Sequence, residues 1–205
     1  MTRLILIPAA QTDWQAQGRL AGDTDLPLNE YGHRQAVTFG EEIVALQPAV
    51  VHCGPEKATK QTASIIAHGL KLKVRPAKEL RELDLGHWEG LTRDDFGERF
   101  ARVYRQWRSA PLSIEPPEGE AIAHAAERLQ RAVKRIVKKH PDETVALTLG
   151  RYAYALVRCQ LDDGDYERFW EYVDGDAGWR AVPGPTADRP PAPTSDQPPP
   201  PEPVH

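Results

Sequence analysis

Cysteine is scarce in this chain of 205 residues, which contains only Cys53 and Cys159. Two cysteines so far apart in the sequence are too few for a disulfide framework, and they lack the clustering that a zinc site needs. The 7 histidines are scattered, with no spacing typical of metal ligands. The sequence therefore predicts no metal, no cofactor and a reducing compartment.

Long hydrophobic runs and an excess of one charge are also missing. The apolar run near the amino terminus covers only residues 4–8, which is far shorter than a signal peptide's apolar region or a membrane span. The 26 basic and 30 acidic residues leave a net charge of -4, which points to neither nucleic acid nor a polyacidic tail. We expect a soluble, cytoplasmic protein that binds neither nucleic acid nor membranes.

Proline is abundant only at the carboxyl terminus. About ten of the 19 prolines lie in residues 183–205, a stretch with no aromatic residue. A segment of this composition has almost nothing to bury, so we predict a disordered, proline-rich tail. The remaining residues, 1–182, are long enough to form a single domain around one core.

Short apolar runs alternate along the chain with longer stretches that have helical spacing. The short runs predict strands at residues 3–8, 50–53, 72–74 and 144–149. Apolar residues three or four positions apart predict helices at residues 32–48, 55–68 and 118–139. This alternation predicts an α/β fold.

Four segments resemble, in the same order, stretches of the histidine phosphatase (phosphoglycerate mutase-like) superfamily. They are Thr12–Ala36, Pro55–Ala63, Leu80–Gly90 and Val145–Gly150. The resemblance agrees with the independent strand and helix pattern. It implies a three-layer α/β sandwich with a mostly parallel central sheet flanked by helices, and phosphate chemistry through a phosphohistidine.

Other residues stand where the resemblance implies the catalytic ones. Pro8, Ala9 and Ala10 occupy the place of the family's Arg-His-Gly triplet, so the histidine nucleophile is absent. Ala58 stands in place of a second phosphate-binding arginine, and Gly150 in place of a second histidine. We therefore expect a vestigial pocket with no functional catalytic set.

Glu82 alone matches a catalytic position of the family, that of the general acid. Gln11 and Gln15 occupy places where the family usually has an acid and an asparagine, and Arg151 follows the vacant position 150. These four side chains are our candidate ligand-binding residues. One hypothesis is that Arg151 turns inward and pairs with Glu82, and the alternative is that it points to the surface.

The first functional hypothesis is a catalytically inactive pseudophosphatase that acts as a binding or regulatory module. Without the family's arginines, Glu82 should repel a phosphate dianion. The partner is accordingly expected to be a protein or an uncharged small molecule. A homo-oligomer, or pairing with an active relative, remains open.

The alternative hypothesis is a hydrolase of the same fold with a rewired active site. In this reading Glu82, together with Asp84, activates water against a substrate other than a phosphate monoester.

Aromatic residues recur at helical spacing in the middle of the chain. Phe96, Phe100, Tyr104 and Trp107 predict an amphipathic helical insertion over residues 94–107. The resemblance places this insertion over the pocket mouth, as a lid or a partner-facing element.

Overall fold

A five-stranded sheet forms the centre of the molecule. In the computed structural model, which describes residues 1–175 and 178–185, the strand order is β3-β2-β4-β1-β5. The strands are β1 (Arg3–Pro8), β2 (Val50–Cys53), β3 (Val74–Pro76), β4 (Thr144–Leu149) and β5 (Arg180–Pro183). The first four run parallel, and β5 pairs antiparallel with β1. The prediction of a mostly parallel sheet is confirmed.

The central strands are apolar along their length because both faces of the sheet are covered. In β1, Leu4 and Leu6 belong to the core on one face, and Ile5 and Ile7 belong to the core on the other. All four side chains are fully buried. Parallel strands covered on both faces require such continuous apolar runs.

Helices form the two outer layers, as the resemblance implies. They are α1 (Asp13–Ala16), α2 (Glu30–Ile43), α3 (Lys57–Leu70), α4 (Arg93–Arg99), α5 (Ala101–Ser109), α6 (Ile122–Lys139), α7 (Arg151–Leu161) and α8 (Phe169–Asp174). Helices α2 and α3 pack together on the face of Ile5, and α6 and α7 on the face of Leu4. Within residues 1–175 and 178–185, no helix has the length and apolar composition to cross a membrane.

Some boundaries differ from the predicted ones. Helix α6 begins at Ile122 and not at residue 118, because Glu118 adopts a left-handed backbone with a φ of 57°. The N–H of Gly119 then donates to the carbonyl of Pro116 (3.0 Å), which closes a turn before the helix. The third strand lies two residues later than predicted, at Val74–Pro76.

The predicted domain boundary at residue 182 falls inside β5. Pro183 is the last residue of that strand. The N–H of Gly184 donates to the carbonyl of Thr2 (2.9 Å), which ties the chain to the start of the fold. The rest of the proline-rich segment, 186–205, for which the sequence predicts disorder, lies outside the described residues.

The aromatic segment at residues 94–107 is divided into two helices. Phe100, between α4 and α5, has a non-helical backbone with a φ of -126° and a ψ of 42°. Phe96 and Trp107 are fully buried, with ring centroids 5.7 Å apart. Trp107 also packs edge-on against Trp170 of α8. Phe96 and Trp107 are therefore core residues, whereas Phe100 is 39% exposed. A lid or partner-facing role of this segment stays a prediction.

Candidate active site

A cavity of about 190 Å³ opens where β1 and β4 end. Ala9 follows β1 and Gly150 follows β4, and the N–H of Ala9 donates to the carbonyl of Leu149 (2.7 Å). The carboxyl ends of parallel strands are the usual place for ligand sites in α/β proteins. The lining residues are Ala9, Thr12, Gln15, Gly18, Arg19, Ala21, Gly22, Thr24, Leu26, Glu56, Ala58, Thr59, Glu82, Arg93, Gly150, Arg151 and Tyr152. No histidine of the described chain is among them.

Most of the predicted site residues do meet in this cavity, namely Ala9, Gln15, Ala58, Glu82, Gly150 and Arg151. Pro8, Ala10 and Gln11 do not line it. Pro8 is buried at the end of β1, and the N–H of Ala10 donates to the hydroxyl of Thr62 (3.0 Å). The side-chain oxygen of Gln11 accepts a hydrogen bond from Asn29 (3.0 Å). These three residues hold neighbouring segments in place.

The Glu82 carboxyl group is held by backbone amides. Its Oε1 accepts hydrogen bonds from the N–H groups of Leu83 and Ala153, both at 2.7 Å. Its Oε2 accepts one from the N–H of Tyr152 (2.8 Å). Tyr152 and Ala153 lie in the first turn of α7, where amides have no partner inside the helix. Glu82 therefore caps the amino end of α7 from a distant segment of the chain.

Gly150 makes this arrangement possible. A Cβ atom placed on Gly150 would lie 2.3 Å from Oε2 of Glu82, closer than any real contact. A side chain at position 150 and the carboxyl group of Glu82 thus exclude each other. Interpreting Gly150 only as a missing histidine overlooks this role, which appears when the two segments are seen together.

Burial dominates the protonation of Glu82. The side chain is only 4% exposed, and burial raises the pKa of its carboxyl group to about 8. The amide hydrogen bonds lower this pKa only in part, and the nearby Glu56 carboxylate raises it further. Glu82 therefore holds a proton at neutral pH, as a general acid must.

Glu56, which the sequence reasoning missed, is a second buried carboxyl group on the cavity wall. It precedes α3, and its Oε1 accepts the backbone N–H of Glu82 (2.8 Å). Its Oε2 accepts the hydroxyl of Thr59 (3.1 Å). Burial raises the pKa of Glu56 as well. The only available signal was an acid directly before a predicted helix, which is common at such positions and hence unspecific.

Asp84, which the hydrolase hypothesis includes, lies outside the cavity lining. Its Oδ1 accepts the N–H of Gly86 (2.8 Å), which stabilises a turn. With Asp23 and Glu89 it forms the one group of three candidate metal ligands among the described residues, with ligand atoms within 4.8 Å of one another. The Glu89 carboxylate already accepts hydrogen bonds from the N–H groups of Asp23 (3.1 Å) and Leu85 (3.2 Å). These contacts fix the position of the Glu89 carboxylate within the cluster.

Arg151 lies on the cavity wall, as the inward hypothesis requires, but it does not pair with Glu82. Among the described residues its guanidinium group has no ion pair within 4.0 Å. The amides of α7 occupy the carboxyl oxygens of Glu82 instead.

The sequence of this chain is similar to that of known proteins. The sequence profile of the histidine phosphatase superfamily (branch 1) matches residues 4–182. The chain belongs to this superfamily. Phosphoserine phosphatase 1 of Hydrogenobacter thermophilus is 28% identical to it over 182 residues, which cover 89% of this chain and 86% of that protein.

Two further histidine phosphatase relatives support the assignment. The metal-independent phosphoserine phosphatase of Arabidopsis thaliana is 31% identical over 148 residues, which cover 71% of this chain and 62% of that protein. A solved mycobacterial glucosyl-3-phosphoglycerate phosphatase in complex with VO3 superimposes with a TM-score of 0.77 at 26% identity. That alignment covers 87% of this chain and 91% of the other.

The prediction of an inactive pseudophosphatase is corrected by these comparisons. The three relatives described above are named as phosphatases, and they point to an enzyme. Alanine and glycine at positions 9, 58 and 150 do not outweigh that finding, because a carboxyl group with the protonation state of a general acid lines the same cavity. The enzymatic alternative fits better than the regulatory module, but the names of these relatives favour phosphate esters, which that alternative excluded.

We predict that Gly150→Ala destabilises the protein by at least about 2 kcal/mol, because the new methyl group displaces Glu82 and leaves buried amides without a partner. Gly69→Ala in α3 is the matched control, since nothing lies within 4 Å of its Cβ position. Urea unfolding measures both variants. Equal stability of the two would show that position 150 tolerates a side chain.

We predict that Glu82→Gln changes the pH dependence of stability. The folded pKa of Glu82, about 8, lies above its ordinary value of 4.5. Its stabilising effect is therefore complete below pH 4.5 and is lost as the pH rises towards 8. Relative to wild type, the variant should gain on the order of 3 kcal/mol of unfolding free energy between pH 5 and pH 8. A constant difference across this range would contradict the raised pKa.

Proposed function

We propose that this chain is a phosphatase-like hydrolase with a rewired active site, in which Glu82 donates the proton to the leaving group. The observation that carries the proposal is the buried carboxyl group of Glu82 on the wall of the family's cavity, where burial raises its pKa to about 8. Phosphate esters of alcohols need such a donor, because an alkoxide is a poor leaving group.

Water is the nucleophile in this proposal, because Ala9 offers no group that attacks phosphorus. The oxygen of water bonds to phosphorus, and the bond from phosphorus to the ester oxygen breaks. Glu82 gives its proton to the departing oxygen, and Glu56 takes a proton from the attacking water. Exchange with solvent then returns a proton to Glu82 and removes one from Glu56.

Small phosphate monoesters are the substrates that fit the proposal. The relatives are named for phosphoserine and glucosyl-3-phosphoglycerate. A cavity of about 190 Å³ is smaller than the sites that hold drug-sized ligands, which typically exceed ~300 Å³. This size favours a small ester.

A cytoplasmic location is part of the proposal. Cys53 and Cys159 are free and buried, and burial raises the pKa of each thiol to about 12. Thiols in this state have little reactivity and need no oxidising environment.

We predict that Glu82→Gln reduces hydrolysis of an alkyl phosphate such as glycerol 2-phosphate by at least about 100-fold. The rate of p-nitrophenyl phosphate hydrolysis should fall less, because its leaving group departs without a proton. Wild-type kcat/KM should fall roughly tenfold per pH unit above pH 8, where Glu82 loses its proton.

Glu79→Gln is the matched control for this experiment. Glu79 is exposed, pairs with Arg135 (2.7 Å) and lies outside the cavity, so wild-type rates are expected. The proposal would be refuted if the wild-type protein hydrolysed both esters no faster than Glu82→Gln does.

We predict that Glu56→Gln slows the reaction and shifts its alkaline limit to lower pH. The negative charge of Glu56 helps to raise the pKa of Glu82, so its removal lets Glu82 ionise earlier. The pH profile of kcat/KM, measured beside Glu79→Gln, tests both effects. An alkaline limit at the wild-type pH would show that the two carboxyl groups are not coupled.

A further inference from the structure

Arg151 is a cation on the wall of the cavity. It is the first residue of α7, is partly buried and lines the wall. Within residues 1–175 and 178–185, its guanidinium group makes no hydrogen bond and no ion pair, and burial lowers its pKa. Removing a charge from water without pairing it is costly. An anionic ligand would offset that cost.

Arg93 adds a second positive charge on the same wall. The repulsion between the two guanidinium groups also lowers the pKa of Arg151. Arg93 pairs with Asp174, but Asp174 also accepts a hydrogen bond from Arg108 (2.7 Å). A single carboxylate thus serves two arginines, and Asp174 does not line the cavity. This wall therefore carries an excess of positive charge.

Arg19, the third arginine of the lining, is already engaged. Its Nε donates to the side chain of Gln17 (2.8 Å), and its Nη1 donates to the carbonyl of Gly90 (2.6 Å). These bonds brace the loop that carries residues 17–24 against the segment before α4. Among the described residues, Arg151 is thus the guanidinium of the lining that makes neither a hydrogen bond nor an ion pair.

We infer that Arg151, supported by the charge of Arg93, binds the phosphoryl group of the substrate. This inference rests on the proposed function. A guanidinium group presents two parallel N–H donors that match two oxygens of a phosphoryl group. The first turn of α7 carries both Arg151 and the amides that hold Glu82, so the bound oxyanion lies on the wall next to the proton donor. Glu82, neutral below pH 8, does not repel it.

Binding of inorganic phosphate at pH 7, measured by isothermal titration calorimetry, tests this role. Arg151→Gln should weaken phosphate binding by at least about tenfold. Arg151→Lys should give an intermediate loss of affinity, since lysine keeps the charge but lacks the two parallel N–H donors. Arg131→Gln is the matched control, because Arg131 is 70% exposed, lies outside the cavity and pairs with Glu127. It should bind as wild type does.

The result that would overturn the inference is phosphate binding by Arg151→Gln equal to that of wild type, or no binding by wild type at tens of millimolar phosphate. Thermal unfolding of each variant detects misfolding, and Arg151→Lys keeps the test valid if Arg151→Gln does not fold. Glu82→Gln should bind phosphate as wild type does while losing turnover. Failure of the proton-donor role and failure of the Arg151 role are therefore distinguishable.

Discussion

The hydrogen bonds between the Glu82 carboxyl group and the first turn of α7 organise the site. They join the loop after β3, which carries Glu82, to the start of α7, directly after β4. They also give hydrogen-bond acceptors to two amides that have no partner inside the helix. They form only because Gly150 leaves room for the carboxyl group. In this chain the absence of a side chain at position 150 leaves room for an acid on the wall of the cavity.

The charges around that acid follow from its burial. Glu82 is driven to its neutral form by loss of water and by the proximity of Glu56. A neutral acid leaves the positive charge of Arg151 uncompensated on the cavity wall, next to Arg93, which shares Asp174 with Arg108. One pocket thereby combines two buried carboxyl groups with the guanidinium groups of Arg93 and Arg151, which are the groups that the proposed hydrolysis of a phosphate ester uses in place of a histidine.

Much of the fold could be predicted from the sequence, and less of the site. The predicted bounds of β1, β2 and β4 match the structure because strands buried on both faces read as continuous apolar runs. Short, half-buried β5 has no such signal beside a proline-rich tail. Glu56 was missed because an acid directly before a predicted helix is an unspecific signal. Arg93 was missed because it reaches the cavity from a segment with no predicted site residue. Gly150 lines the cavity, as the resemblance implied. Its close contact with Glu82 could not be predicted, because the two residues are far apart in the sequence.

The central claim is that Glu82 holds a proton at neutral pH inside this cavity. NMR titration of the Glu82 side-chain carboxyl carbon, assigned by its loss in Glu82→Gln, measures this directly. The account predicts a midpoint of about 8. A midpoint at or below the ordinary value of 4.5 would mean that the amides of α7 stabilise an ionised carboxylate, and Glu82 would then be unable to act as the proton donor.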